Sequence, residues 1–174
     1  MKAYAKSKTP KPDRDKRQTP VFVFERIQDL VNIEIFYDVC AETHTSKCHN
    51  NYWDEIDNSL IIDWCQELGR KETPQGLFAL WMNPPYSNPG IWCEKAYKES
   101  QKGLIIIGCL PDDRSTGWYQ DWVEDKAQII YVPDKRISFE DADGVPQKGN
   151  PKGSVIPVWM PFYCDKSTYV RFHL

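Results

Sequence analysis

An α/β domain on a largely parallel sheet is the fold class this sequence predicts, and three observations predict it. Apolar, β-branched runs alternate with amphipathic helix-like stretches, the order that strand–helix–strand units require. Residues 103–110 are apolar almost throughout, as a strand covered on both faces must be. The length, 174 residues, is enough for one complete core and short for two.

The elements follow in order. Thr19-Pro20 opens a helix over residues 21–31, with its apolar side chains on one side and a proline near the first turn. Residues 33–39 read as a buried strand and 42–51 as a polar loop. Residues 58–68 read as a short helix capped by Asn58 or Ser59 and closed by Gly69. A second strand over 77–82 ends at Asn83, and 87–100 form a turn and an amphipathic helix. The apolar strand 103–110, a helix over 115–125 and a third inner strand over 127–132 complete the alternation. Beyond residue 136 the pattern changes. Residues 136–139 and 154–160, joined by a long loop rich in Gly and Pro, predict an antiparallel pair at the C-terminal edge.

Composition narrows the class. With 41% hydrophobic and 27% charged residues the chain matches an ordinary globular protein, and no apolar run approaches the roughly 20 residues of a bilayer span. No secretory leader is evident, so a soluble, cytoplasmic protein with no membrane partner is expected. The six cysteines include Cys40, Cys93 and Cys109 in or beside apolar runs, which points to free, buried thiols. Cys40, His44, Cys48 and His49 can all ligate metals, but their spacing fits neither paired Cys-x-x-Cys units nor a helical His pair, and no metal is expected. The net charge is -3, unevenly placed: residues 1–20 carry seven basic groups against two acids, leaving the remainder at -8. Two units are therefore expected, a basic disordered tail over 1–17 and a single domain over 18–174. The tail is either a solubilising extension or a phosphate-binding arm, with Lys16 and Arg17 its last cations.

In parallel sheets the ligand crevice lies at the carboxyl ends of the strands, where Asp38-Val39-Cys40 and Asn83-Pro84-Pro85-Tyr86 both fall. The second segment has the chemistry to activate a planar amine. Such a nitrogen is a poor nucleophile because its lone pair is delocalised into the ring. The amide oxygen of Asn83 and the carbonyl of Pro84 can accept its two hydrogens and localise that pair. Consecutive prolines fix the backbone and keep the Pro84 carbonyl outward. Tyr86 offers a ring on which an extruded base can stack, worth roughly 1 to 3 kcal/mol. The bland alternatives are a strand terminator and a ligand for proline-binding domains.

Taken with their neighbours, these residues resemble the phage-encoded Dam-type DNA adenine methyltransferases. The resemblance runs over about residues 18–160 and is carried by Thr19-Pro20, Asp38-Val39-Cys40-Ala41, Lys47-Cys48, Asp57 to Leu60 and Asp63-Trp64. It continues through Asn83-Pro84-Pro85-Tyr86-Ser87, Trp92 with Lys95-Ala96, Leu110-Pro111, Trp118, and Arg136-Ile137 with Phe139. It implies a Rossmann-like methyltransferase fold, S-adenosylmethionine as cofactor, and double-stranded DNA as partner. Asn83, Pro84, Pro85 and Tyr86 become the catalytic loop. Thr19, Pro20, Asp38, Cys40, Ala41, Asp57 and Asn83 become the cofactor contacts. For DNA the expectation falls on Ser87, Arg136, Lys148, Lys152, Lys16 and Arg17. A monomer in a host cell's cytoplasm, serving a phage in restriction evasion, completes the expectation. The turn after the first strand, Ala41-Glu42-Thr43-His44, lacks the glycines that many methyltransferases carry there. With no separate recognition domain, sequence discrimination falls to the loops 42–51 and 138–153. A methyltransferase for another planar amine (cytosine, RNA or a protein glutamine) and a silent DNA-binding relic of the fold remain alternatives.

Overall fold

The first helix that lies wholly within the described residues, α1 (Val21–Val31), begins after Pro20. Pro20 is its N-cap, with φ -56° and ψ 145°, and the Pro20 carbonyl accepts from the N–H of Val23 and Phe24 at 3.1 Å each. The computed structural model describes residues 15–42, 45–69, 76–147 and 152–174. Asn32 ends the helix in the left-handed region at φ 51° and donates to the Gln28 carbonyl. Val23, Phe24 and Ile27 form the buried stripe, and Phe24 meets Trp81 edge-on with ring centroids 5.2 Å apart.

The strands are β1 (Glu34–Asp38), β2 (Phe78–Met82), β3 (Ile105–Gly108), β4 (Leu110–Pro111), β5 (Ile129–Pro133), β6 (Ser154–Trp159) and β7 (Thr168–Phe172). They form one seven-stranded sheet ordered β1-β2-β3-β6-β5-β7, with β4 also pairing β6. The pairs β1–β2, β2–β3 and β5–β7 are parallel, while β6 is antiparallel to β3, β4 and β5. One reversed strand thus sits inside an otherwise co-directional sheet.

Alternation along β2 shows how the two faces are covered. Ala79 and Trp81 join a cluster with α1, Ile105 and Ile107, whereas Leu80 and Met82 join one with Tyr37, Trp64, Cys93 and Ile106. The second cluster is covered by α2 (Trp64–Leu68), α3 (Pro89–Ser100) and α4 (Gly117–Trp122). Glu99, 1% exposed, ties α3 to α2 by accepting from Lys95 at 2.8 Å, Lys102 at 2.9 Å and the Cys65 N–H at 3.2 Å. Burying that carboxylate is tolerable because two cations and an amide meet it.

Three expectations are corrected. The antiparallel strand is not at a C-terminal edge: β6 lies between β3 and β5, and the edge is β7, parallel to β5. Residues 136–139 form no strand. Their in–out alternation is real, with Ile137 and Phe139 buried and Arg136 and Ser138 exposed, but the flanks of β5 are already taken by β6 and β7. The helix expected over 58–68 starts only at Trp64. Asp63 caps it by accepting from the Gln66 N–H at 3.0 Å, while the Ser59 hydroxyl is used on the Val39 carbonyl. No helix among the described residues is long and apolar enough to cross a membrane.

Candidate active site

The carboxyl ends of β1 and β2 lie side by side, with Asp38 in register with Trp81. Strand β2 stops at Met82 because Pro84 and Pro85 have no N–H to offer a ladder. The chain beyond β1 also leaves the sheet, and its edge is met by residues 51–53: the Trp53 N–H donates to the Asp38 carbonyl at 2.9 Å and the Ala41 N–H to the Trp53 carbonyl at 3.0 Å. Two loops therefore face each other across the switch from strand to coil.

Asn83 is held from both ends. Its backbone N–H donates to the Cys40 thiol, and its side-chain Nδ2 donates to the Arg17 carbonyl at 3.2 Å. Among the described residues no donor meets its Oδ1, so the amide presents an acceptor. Burial, then the charge of Asp38, pushes the Cys40 thiol well above its usual range despite the Asn83 N–H, so it stays a neutral packing group. Tyr86 is fixed through its hydroxyl, which donates to the Cys109 carbonyl at 3.3 Å. Its ring meets Phe139 edge-on at 5.6 Å and 81°. Burial, followed by the Cys109 thiol, holds the phenol well above its ordinary range. Burial therefore favours the protonated phenol, and Tyr86 lines the larger cavity.

Asn83 lines two cavities. The larger, of about 400 Å³, is walled by Asn83, Pro84, Tyr86, Trp118 and Phe139, with Arg17, Asp113 and Lys152 also on its lining. That volume falls within the roughly 300–1,000 Å³ of small-molecule pockets. The smaller, of about 40 Å³, is lined by Asp38, Cys40, Ala41, Gln18, Thr19 and Lys47 among others, and has room for roughly one water. Arg17 and Asp15 border both. They belong to the stretch expected to be disordered, yet residues 15–18 are stitched onto the site. Asp15 Oδ1 accepts from the Ser87 N–H at 3.0 Å, and Gln18 exchanges backbone bonds with Glu140 at 2.8 and 2.9 Å.

In the smaller cavity Asp38 is 4% exposed; its Oδ1 accepts from the Cys40 N–H at 3.2 Å and its Oδ2 from the Lys47 N–H at 3.4 Å. Burial pushes its carboxyl up to about 6, with the two amides and the Lys47 charge pulling back. The Nε2 of Gln18 is buried with no partner among the described residues, an omission that costs about 1–3 kcal/mol unless a ligand supplies an acceptor. An acid and an orphaned amide donor suit the ammonium or ribose and the carboxylate of S-adenosylmethionine. The donor set fits that group in kind. The space does not: the cavity is only about 40 Å³, with residues 15–18 forming one wall.

The remaining expected residues divide. Thr19 is buried beside Cys109, Pro20 caps α1, and Ala41 borders the smaller cavity. Pro85 lines neither cavity; its carbonyl accepts from the Asn88 N–H at 3.3 Å. Asp57 is exposed in a tight turn, where its Oδ2 accepts from the Asp54 N–H at 3.0 Å, away from both cavities. Ser87 and Lys152 border the larger cavity and Lys16 the smaller, while exposed Arg136 borders neither. Lys152 is ion-paired with Asp113. Lys148, His44 and residues 1–14 lie outside the described residues. Asp15, Gln18 and Asp113 are the residues that sequence reasoning missed. Only Asp113, at the end of the β3–β4 run, gave a positional signal.

A family described as "DNA N-6-adenine-methyltransferase (Dam)" matches residues 6–173. The chain is 33% identical over 173 residues to a protein of Haemophilus phage HP1 (strain HP1c1) named DNA N-6-adenine-methyltransferase, covering 97% of this chain and 93% of that protein. It is 29% identical over 168 residues to a protein of the same name from Escherichia phage T1, covering 88% of this chain and 66% of that protein. No solved structure matches the chain.

Proposed function

The chain belongs to the DNA N-6-adenine-methyltransferase (Dam) family and is an adenine-specific DNA methyltransferase; on that premise we propose that it takes its methyl group from S-adenosylmethionine and delivers it to an adenine flipped onto the Asn83-Pro84-Pro85-Tyr86 loop. The observation that carries this reading is the position of Asn83 on the wall shared by the two cavities, with its acceptor oxygen unspent. A nucleophile bound on one side and a donor on the other would meet at this residue. The sheet is read accordingly as Rossmann-like, with both cavities near the carboxyl ends of its parallel strands.

The larger cavity receives the base. Asn83 Oδ1 and the Pro84 carbonyl accept the two hydrogens of the exocyclic amine, which localises the lone pair on nitrogen without prior deprotonation. Tyr86 stacks on the base and excludes water from one face. Asp38 would hold a polar end of the donor at the carboxyl end of β1, and Gln18 would meet another once residues 15–18 have moved aside to make room. Thr19 and Pro20, at the start of α1, close that side beneath residues 15–18. S-adenosylmethionine supplies, when bound, an electrophilic methyl carbon on a sulfonium. After transfer the nitrogen sheds its surplus proton to water, so no residue need act as a strong base. Lys152, Arg17, Lys16, Ser87 and Arg136 are read as phosphate contacts around the site, and Lys148 joins them by its neighbourhood in sequence.

Because the relatives named above come from phages, we read the biological role as modification of phage or prophage DNA inside the host, with restriction evasion as its purpose. Incubating DNA with S-adenosylmethionine and the protein, then identifying nucleosides by mass spectrometry, tests the reaction. N6-methyladenine is the expected product; its absence, or methylcytosine in its place, overturns the reading.

A further inference from the structure

The larger cavity has a wall that the Asn83–Tyr86 segment does not supply. Trp118, the second residue of α4, is half-buried and lines the same cavity as Asn83, Pro84 and Tyr86. It differs from the core tryptophans. Trp64, Trp81 and Trp159 are at most 1% exposed, and the indoles of Trp64 and Trp159 donate to the Ser59 and Trp122 carbonyls at 2.8 Å each. The indole N–H of Trp118 meets no acceptor among the described residues. Large aromatic area left open toward a cavity, with its polar edge unspent, suits a ligand contact better than a packing role.

The surroundings hold that ring in one place. On one side it packs edge-on against Tyr119, with centroids 5.6 Å apart at 67°. Tyr119 is itself fully buried, and its hydroxyl lies 3.5 Å from that of Tyr169. On the other side lies the first turn of α3. A Cβ at Gly90 would fall 2.9 Å from the Trp118 Cβ, closer than carbon atoms pack, so only glycine admits the approach. Gly90 borders the cavity as well. The clash would be with the fixed Cβ of Trp118, not with a flexible tip, so any larger residue at 90 must displace Trp118 or the helix.

We propose that Trp118 is a base-positioning residue: its indole is an aromatic wall of the cavity beyond Tyr86 and Phe139, contacting the flipped adenine and holding it against the Asn83 and Pro84 acceptors, with Gly90 setting its place. This rests on the reading of the larger cavity as the base site. Two aromatic surfaces restrict a planar base more than one does. Loss of one should therefore affect the capture and orientation of the base far more than the binding of the donor on the other side of Asn83.

The test uses the full chain, with a duplex carrying 2-aminopurine at an adenine that the unmodified protein methylates. Trp118→Ala is expected to lower kcat/KM for DNA at least about tenfold and to weaken the 2-aminopurine fluorescence rise, while Trp118→Phe stays within about threefold of the parent. Donor affinity by calorimetry should change less than about twofold. Gly90→Ala, whose added Cβ would press on the Trp118 Cβ, should lower kcat/KM for DNA in the parent while leaving donor affinity nearly unchanged. Equal kcat/KM and fluorescence for the parent and folded Trp118→Ala would overturn the proposal. If Trp118→Ala does not fold, Trp118→Phe against Trp118→Leu decides: activity kept only by Phe supports the aromatic wall, and equal activities refute it. If the parent makes no N6-methyladenine, the reading of the base site itself has failed, an outcome separate from a Trp118 variant that works as well as the parent.

Discussion

The two cavities that meet at Asn83 differ about tenfold in volume, about 400 Å³ on the Tyr86 side against about 40 Å³ on the Asp38 side. The difference lies in what walls them. The larger is bounded by a proline-fixed loop and by Trp118, Tyr86 and Phe139, each held by packing or by a hydrogen bond into the sheet. The smaller is bounded on one side by the end of β1 and on the other by residues 15–18, Thr45 and Lys47, where among the described residues hydrogen bonds tie Lys47 to Asp38, Arg17 to Asn83 and Asp15 to Ser87. A preformed cavity suits a base that must arrive already oriented. A small one walled by residues 15–18 suits a donor that is admitted when that segment moves aside.

Substitutions on opposite sides of Asn83 should separate these roles. The largest effect is expected from Tyr86→Ala, which removes the ring and its tie to the Cys109 carbonyl. Steady-state methyl incorporation should show kcat/KM for DNA lowered up to about a hundredfold. Calorimetry should show donor affinity nearly unchanged. A matching loss of donor affinity would mean that the cavities do not act separately.

Asp38→Asn comes next and should act on the other side alone, raising the donor dissociation constant about tenfold near neutral pH. Its pH dependence has a definite sign. Burial raises the Asp38 carboxyl to about 6, so in the parent donor affinity should fall as pH drops through about 6 and level off above it. Folding responds in the opposite sense. A carboxyl whose folded value lies above its ordinary 3.8 favours the fold when protonated; that contribution is complete below 3.8 and is lost as pH rises through about 6. Titrating donor binding by calorimetry from about pH 5 to about pH 8 checks it; a flat profile in the parent, or the same slope in Asp38→Asn, would remove Asp38 from the donor site. The smallest effect is expected from Lys152→Ala at the rim of the larger cavity. DNA affinity should drop a few-fold at low salt, and the slope of its logarithm against that of salt concentration should fall by about one. An unchanged slope would leave Lys152 as the partner of Asp113 alone.

Sequence and structure agree best where a side chain's chemistry and its burial coincide. The apolar runs that became β1, β2 and β3 were legible because both faces of each are covered. The Asn83-Pro84 step was legible because two prolines cannot continue a ladder. Strand β7 was not: four of its five residues are exposed, and only Phe172 marks an inner face. Residues 136–139 misled for the converse reason, since alternating burial reports where side chains point and not whether the backbone pairs. The place of β6 between β3 and β5 is a fact of topology that no local pattern carries. In the site, Asp38, Cys40 and Asn83 were readable from their positions after strands. Residues 15–18 were not, because a charged, apolar-poor stretch looks the same in sequence whether it is solvated or hydrogen-bonded across a crevice. Gln18 illustrates this: nothing in its neighbours signals that its amide nitrogen is buried without a partner.

The central claim is that the Asn83 amide oxygen, with the Pro84 carbonyl, makes the amine reactive. Single-turnover methylation by Asn83→Ala, with donor and DNA both pre-bound and base extrusion followed by 2-aminopurine fluorescence, addresses it most directly. The account predicts that the variant folds, binds and extrudes the base as the parent does, and that its methyl-transfer step is at least about tenfold slower. Transfer at the parent's rate from a normally extruded base would contradict it.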